Sequence, residues 1–203
     1  MSEIICVTDR HLCREDIVDR IRLLAEAGPR AVILREKDLA PAAYRGLAEQ
    51  ALAICAEYGV PCVLHSYVDI AAELGAEALH LPLPVLRELT AEQRAAFPVL
   101  GASCHSVEEA VEAEALGCTY ITAGHIFETG CKQGLPGRGL DFLREVCHAV
   151  SIPVYAIGGV SPANIAAVRA AGAAGGCSMS GAMTCDDPAA YLAAFEDNKN
   201  EAH

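Results

Sequence analysis

Short apolar runs alternate with longer mixed ones along the 203-residue chain. The runs Ile4–Thr8, Val32–Arg35, Cys62–His65, Ala78–Leu81, Val99–Ser103, Tyr120–Ala123, Val154–Ile157 and Gly176–Met179 are mostly continuous. Continuous apolar runs predict strands covered by helices on both faces of a parallel sheet. Gly176–Met179 is the weakest of them, because glycine and serine are poor strand formers.

The segments between these runs have helical spacing. "REDIVDRIRLLAEAG" places Ile17, Ile21 and Leu24 near one face and ends on Gly28, a natural helix stop. In "APAAYRGLAEQALAICAEYG", Pro41 falls near the start and Gly59 near the end. "SVEEAVEAEALG" opens with Ser106 and carries Glu109 three positions on, a capping-box pattern. Strand followed by helix, repeated along the chain, predicts an α/β fold of the (β/α)8 TIM-barrel type. Alternation alone also permits a doubly wound sheet. No linker composition interrupts the series, so residues 1–203 read as a single barrel domain with a polar tail at Asn198–His203.

Composition narrows the class. Apolar residues make up 53% and charged ones 21%, which argues against a disordered chain. The formal charge of -12 offers no basic footprint for nucleic acid, although local cations can still hold a small anion. Neither a long apolar span nor a signal-like start is visible, so no membrane partner and a cytoplasmic location are expected. The ten cysteines lack the short spacing of a zinc site and read as free thiols, mostly buried, in a reducing compartment.

In a barrel of this kind, polar residues at the C-terminal strand ends mark the site. Those ends carry Arg35, Glu36 and Lys37, then His65, His80, His105 and His125, and lastly Gly158, Gly159, Ser180 and Gly181. Gly158, Gly159, Ser180 and Gly181 follow the seventh and eighth strands, where backbone N–H groups can cradle a phosphate. The alternative is that these glycines serve only tight turns. In "LREKD", Arg35 or Lys37 can hold a carboxylate or phosphate, unless the cluster is an ordinary ion-paired strand end.

These segments resemble the family that contains the thiamine phosphate synthases and the thiazole tautomerases. The resemblance runs from the first strand through "LREKD", "GASCHSVEEAVEAEALGCTYI", "AGHIFETGCKQGLPGRG", "IPVYAIGGVSPANI" and "AGAAGGCSMSGA". It implies the same barrel. The synthase branch joins a hydroxymethylpyrimidine diphosphate to a thiazole phosphate and needs magnesium. It usually has Asn-Asp-Arg after strand three and Gly-Gln-x-Asp after strand four; this chain has "HSYVD" at 65–69 and "HLPLP" at 80–84. The synthase "GxSTHT" is altered to "GASCHS", and its Gly-Pro-x-Phe-x-Thr becomes Gly124-His125-Ile126-Phe127-Glu128-Thr129.

On these residues the tautomerase branch, TenI, is the expected identity. The resemblance then implies a metal-free, cofactor-free isomerase acting on a thiazole carboxylate phosphate. His125 would transfer the proton, a task suited to its reference pKa of about 6.5. Arg35, Lys37, Gly158, Gly159, Ser180 and Gly181 would bind the substrate. His65, His80, Cys104, His105, Glu128, Cys131 and Lys132 are candidate site-lining residues, and Gly124–Gly139 is a candidate lid. A magnesium-dependent synthase and a non-catalytic phosphate-ligand or regulatory protein are the alternatives. A homo-oligomer is expected from the resemblance.

Overall fold

The computed structural model describes residues 2–128 and 136–197. Its strands are β1 (Ile4–Val7), β2 (Ala31–Leu34), β3 (Cys62–His65), β4 (Ala78–Pro82), β5 (Val99–Cys104), β6 (Tyr120–Gly124), β7 (Val154–Ile157) and β8 (Gly175–Ser178). They pair in parallel in sequence order, and β8 returns to β1, closing an eight-stranded barrel. The doubly wound alternative is thereby excluded. The helices are α1 (Ile17–Glu26), α2 (Pro41–Glu57), α3 (Val68–Glu73), α4 (Leu83–Glu88), α5 (Ala91–Ala95), α6 (Val107–Ala115), α7 (Gly139–Ala149), α8 (Ile165–Ala170), α9 (Ser180–Thr184) and α10 (Pro188–Asp197).

The two-residue side-chain period of a strand divides the core into an inner and an outer part. Ile5, Val7, Ile33, Val63, Tyr120, Tyr155 and Cys177 form one buried cluster within the barrel. Ile4, Cys6, Val32, Leu34 and Leu64, their sequence neighbours, pack in the larger cluster beneath the helices, with Ile21, Leu24 and Tyr44. Both faces of each strand are thus apolar, which explains the continuous runs in the sequence.

Helix ends follow the expected punctuation. Gly28 and Gly59 take positive φ of 71° and 66° just past α1 and α2, where residues with a Cβ are strained. Ser106 caps α6 by accepting from the Glu109 N–H, but Glu109 reaches back to the His105 N–H instead of closing a box on Ser106. The weakest predicted strand forms because glycine is sterically required there. A Cβ on Gly175 would lie 2.0 Å from the Glu3 carbonyl oxygen, and one on Gly176 would lie 2.7 Å from Val160 Cγ1. Close approach therefore overrides low strand propensity.

Candidate functional site

A cavity of about 500 Å³ opens at the C-terminal ends of the strands. Its base is apolar, with Val7, Ile33, Ile157 and Cys177, and its mouth carries most of the polar groups.

On one side is a charged rim. Arg35 and Lys37, two residues apart, line the cavity, while the intervening Glu36 is buried. Glu36 accepts from the Thr8 hydroxyl at 2.8 Å and from the backbone and side chain of Arg10, both at 3.1 Å. Thr8 in turn accepts from the Arg35 N–H at 2.9 Å, tying the end of β2 to β1. Two further donors of Arg10 grip Asp38, each at 2.6 Å. That bidentate contact holds the Asp38 carboxyl well below its ordinary range and raises the Arg10 guanidinium.

Next round the barrel from the rim stands a neutral wall. Register pairs His65 with His80, His80 with Gly101 and Gly101 with Tyr120, so one layer crosses β3, β4, β5 and β6. A Cβ on Gly101 would lie 2.2 Å from the Tyr120 ring, so this glycine makes the space through which Tyr120 reaches His80. His80 Nδ1 meets the Tyr120 hydroxyl and Nε2 the Ser103 hydroxyl, each at 2.9 Å. His65 Nδ1 contacts the Ser66 hydroxyl at 2.7 Å, and its N–H donates to Tyr44 at 2.9 Å. The two imidazoles stack with centroids 5.8 Å apart. Burial pushes His80 down to about 3; burial, followed by the charge of His80, pushes His65 down to about 2. Both rings are therefore neutral near pH 7.

The remaining sector joins β5, β6 and β7. His105 Nδ1 donates to the Gly124 carbonyl at 2.9 Å, which leaves Nε2 as the other ring position. His125 follows the cis Gly124–His125 peptide and is 8% exposed at the cavity edge. Gly158 and Gly159 have φ of 94° and 67°. A Cβ on Gly158 would sit 2.4 Å from His125 Cβ, and one on Gly159 would sit 2.6 Å from the Glu128 carbonyl oxygen. These glycines consequently seat the backbone of 125–128 as well as lining the cavity.

The predicted residues divide by position. Arg35, Lys37, His65, His80, His105, His125, Gly158, Gly159 and Ser180 line one cavity. Gly181 instead adjoins Tyr191, whose hydroxyl would lie 2.1 Å from an added Cβ. Cys104 is buried, its Sγ directed at the Glu109 carbonyl, and burial raises its thiol to about 12. Glu128 is exposed and outside the described cavity lining. Cys131 and Lys132, with residues 129–135 of the proposed lid, lie outside the described residues. Sequence reasoning passed over Thr122 and Tyr120, over Ser103 beyond its place at the fifth strand end, and over Glu109 beyond its capping role. The available signal was Gly101, a glycine inside an apolar strand.

A family model described as thiamine monophosphate synthase matches residues 4–182. The chain belongs to that family. It is 35% identical over 198 residues to a thiamine-phosphate synthase of Desulfitobacterium hafniense strain Y51, covering 94% of each chain. It is 33% identical to the thiamine-phosphate synthase of Caldivirga maquilingensis, covering 97% of this chain and 96% of the other. Among solved structures, a thiamine phosphate pyrophosphorylase from Pyrococcus furiosus superposes with a TM-score of 0.82 at 29% identity, covering 96% and 93% of the two chains.

These relatives correct the expectation of a tautomerase. Matches at 32–35% identity over 78–97% of the chain carry the synthase name. The TenI identity, the isomerase class, the thiazole carboxylate phosphate partner and the proton-transfer role of His125 are set aside with it. The branch assignment rests on a few residues at the ends of β3, β4, β5 and β6, whereas the similarity to synthases spans the barrel. As for membranes, no helix among the described residues is long and apolar enough to cross one.

Magnesium, which the resemblance attaches to synthases, does not fit the donor set. Among the described cavity-lining residues the carboxylate is Glu109, already engaged by the His105 N–H. No group of three or more His, Cys, Asp or Glu placed to hold a metal occurs among the described residues.

Proposed function

We propose that this chain is a thiamine-phosphate synthase, joining a hydroxymethylpyrimidine diphosphate to a thiazole phosphate with release of inorganic diphosphate. The observation that carries the reading is the end-to-end similarity to proteins of that name, 35% identity over 94% of both chains in one case. The cavity supports it: its size suits small ring-bearing ligands, with apolar surface below and a few polar groups around the mouth.

In this reading the groups divide by chemistry. Backbone N–H groups around Gly158, Gly159 and Ser180 hold the phosphate ester, while Arg35 and Lys37 face the diphosphate. The neutral imidazoles and the Ser103 and Thr122 hydroxyls meet uncharged ring atoms. Confinement of both ligands converts an encounter in solution into a reaction between positioned neighbours. No step is routed through a metal.

The direct test incubates the protein with both ligands and follows thiamine phosphate by chromatography. Product above a protein-free control is expected. Its absence with magnesium and without it would overturn the reading.

A further inference from the structure

We infer that the cavity binds its anionic ligand without a divalent cation, its positive charge being supplied by Arg35 and Lys37. The identification of that anion as a diphosphate rests on the synthase reading above.

Magnesium is a hard cation, ordinarily held through one or two carboxylates together with ligand phosphate oxygens and water. Glu109, Glu36 and Asp38 are committed elsewhere, and Asp9, whose Oδ1 takes the His11 N–H, lies outside the described cavity lining. Glu109 is fixed by the His105 N–H while its own N–H is capped by Ser106. Glu36 is buried and receives Thr8 and Arg10, and both oxygens of Asp38 receive Arg10. Asp69, in the first turn of α3, lies outside the described cavity lining.

The ends of β3 and β4, next round the barrel from the rim, carry imidazole nitrogens that are themselves engaged. Both ring nitrogens of His80 meet hydroxyls, and His65 Nδ1 meets Ser66. A magnesium ion placed there would find imidazole and hydroxyl where it requires anionic oxygen. The cavity is nevertheless equipped for negative charge, because Arg35 and Lys37 both reach it from one side of the β2 end. Glu36 and Arg10 brace the backbone from which those cations project. The two cations then perform the neutralisation that a metal would otherwise perform.

The test is calorimetric titration of the full chain with inorganic pyrophosphate, in EDTA and in magnesium, corrected for the magnesium–pyrophosphate complex. The expected Kd agrees within about twofold, since no linkage between metal and anion is built into the site. Tightening by roughly fivefold or more in magnesium would overturn the inference, as would no binding in either condition. Lys37→Gln, at an exposed position, should weaken binding about tenfold in both conditions; unchanged affinity counts against the cation assignment.

Product assays under the same two conditions separate this inference from the functional reading. Equal turnover in EDTA and magnesium supports both. Turnover that requires magnesium overturns the inference and leaves the synthase reading standing. Metal-independent pyrophosphate binding with no turnover does the reverse.

Discussion

The rim at the ends of β1 and β2 and the wall across β3 to β6 face the same cavity, yet they hold polar groups by opposite means. At the rim, charge is kept and paired: Glu36 is 2% exposed but receives Thr8 and Arg10. In the wall, charge is removed: His65 and His80, 4% and 2% exposed, are neutral and hydrogen-bonded to hydroxyls. Burying an ion is tolerable when strong partners replace water, and a titratable ring without such a partner gives up its proton. The two sides should consequently fail under different perturbations.

Acid is the largest expected perturbation and selects the wall. The folded-state values of His65 and His80 lie near 2 and 3, below those of an unfolded chain. Between roughly pH 6.5 and the folded values, the unfolded chain takes up protons that the folded protein refuses, so stability falls as pH falls. Each ring contributes a slope of about 1.4 kcal/mol per pH unit, so the pair costs about 5 kcal/mol on going from about pH 6.5 to 4.5. Urea unfolding at a series of pH values should show this decline, and a His65→Gln/His80→Gln variant should flatten it. An equal slope in the variant would mean that the wall is not the acid-sensitive side.

Second in size is removal of the buried charge from the rim. Glu36→Ala leaves the Thr8 hydroxyl and the Arg10 donors facing a vacated site. Breaking a buried ion pair from one side costs about 3 kcal/mol or more. Denaturant unfolding at neutral pH should register that loss. A change below about 1 kcal/mol would place this cluster among ordinary surface pairs and erase the contrast with the wall.

How much of this was legible in the sequence depended on the range of the interaction. The eight strands were legible because burial on both faces leaves an apolar run that a local window detects. That Arg35, Lys37, His65, His80, His105 and His125 share one end of the barrel was legible because a barrel fixes which strand ends meet. The Glu36–Arg10 brace was not, because its partners stand 26 residues apart and only strand pairing joins them. The Gly101–Tyr120 fit was equally hidden: a missing side chain on β5 is explained by a ring on β6. The branch of the family was misread from short motifs, since local substitutions say what a position lost and whole-chain similarity says what it accompanies.

The smallest predicted effect refines the description of the wall. Tyr120→Phe keeps the ring over Gly101 and removes only the hydroxyl that meets His80 Nδ1. Burial holds the Tyr120 hydroxyl well above its ordinary pKa, so it remains a neutral partner throughout the working range. Losing one neutral hydrogen bond in the interior costs about 1 kcal/mol, plus whatever follows from an unsatisfied ring nitrogen. Thermal unfolding of the variant at neutral pH should show a modest drop, well short of that for Glu36→Ala. If the loss instead matched the rim variant, the Tyr120–His80–Ser103 chain would have to act as a cooperative unit rather than a set of separate neutral contacts.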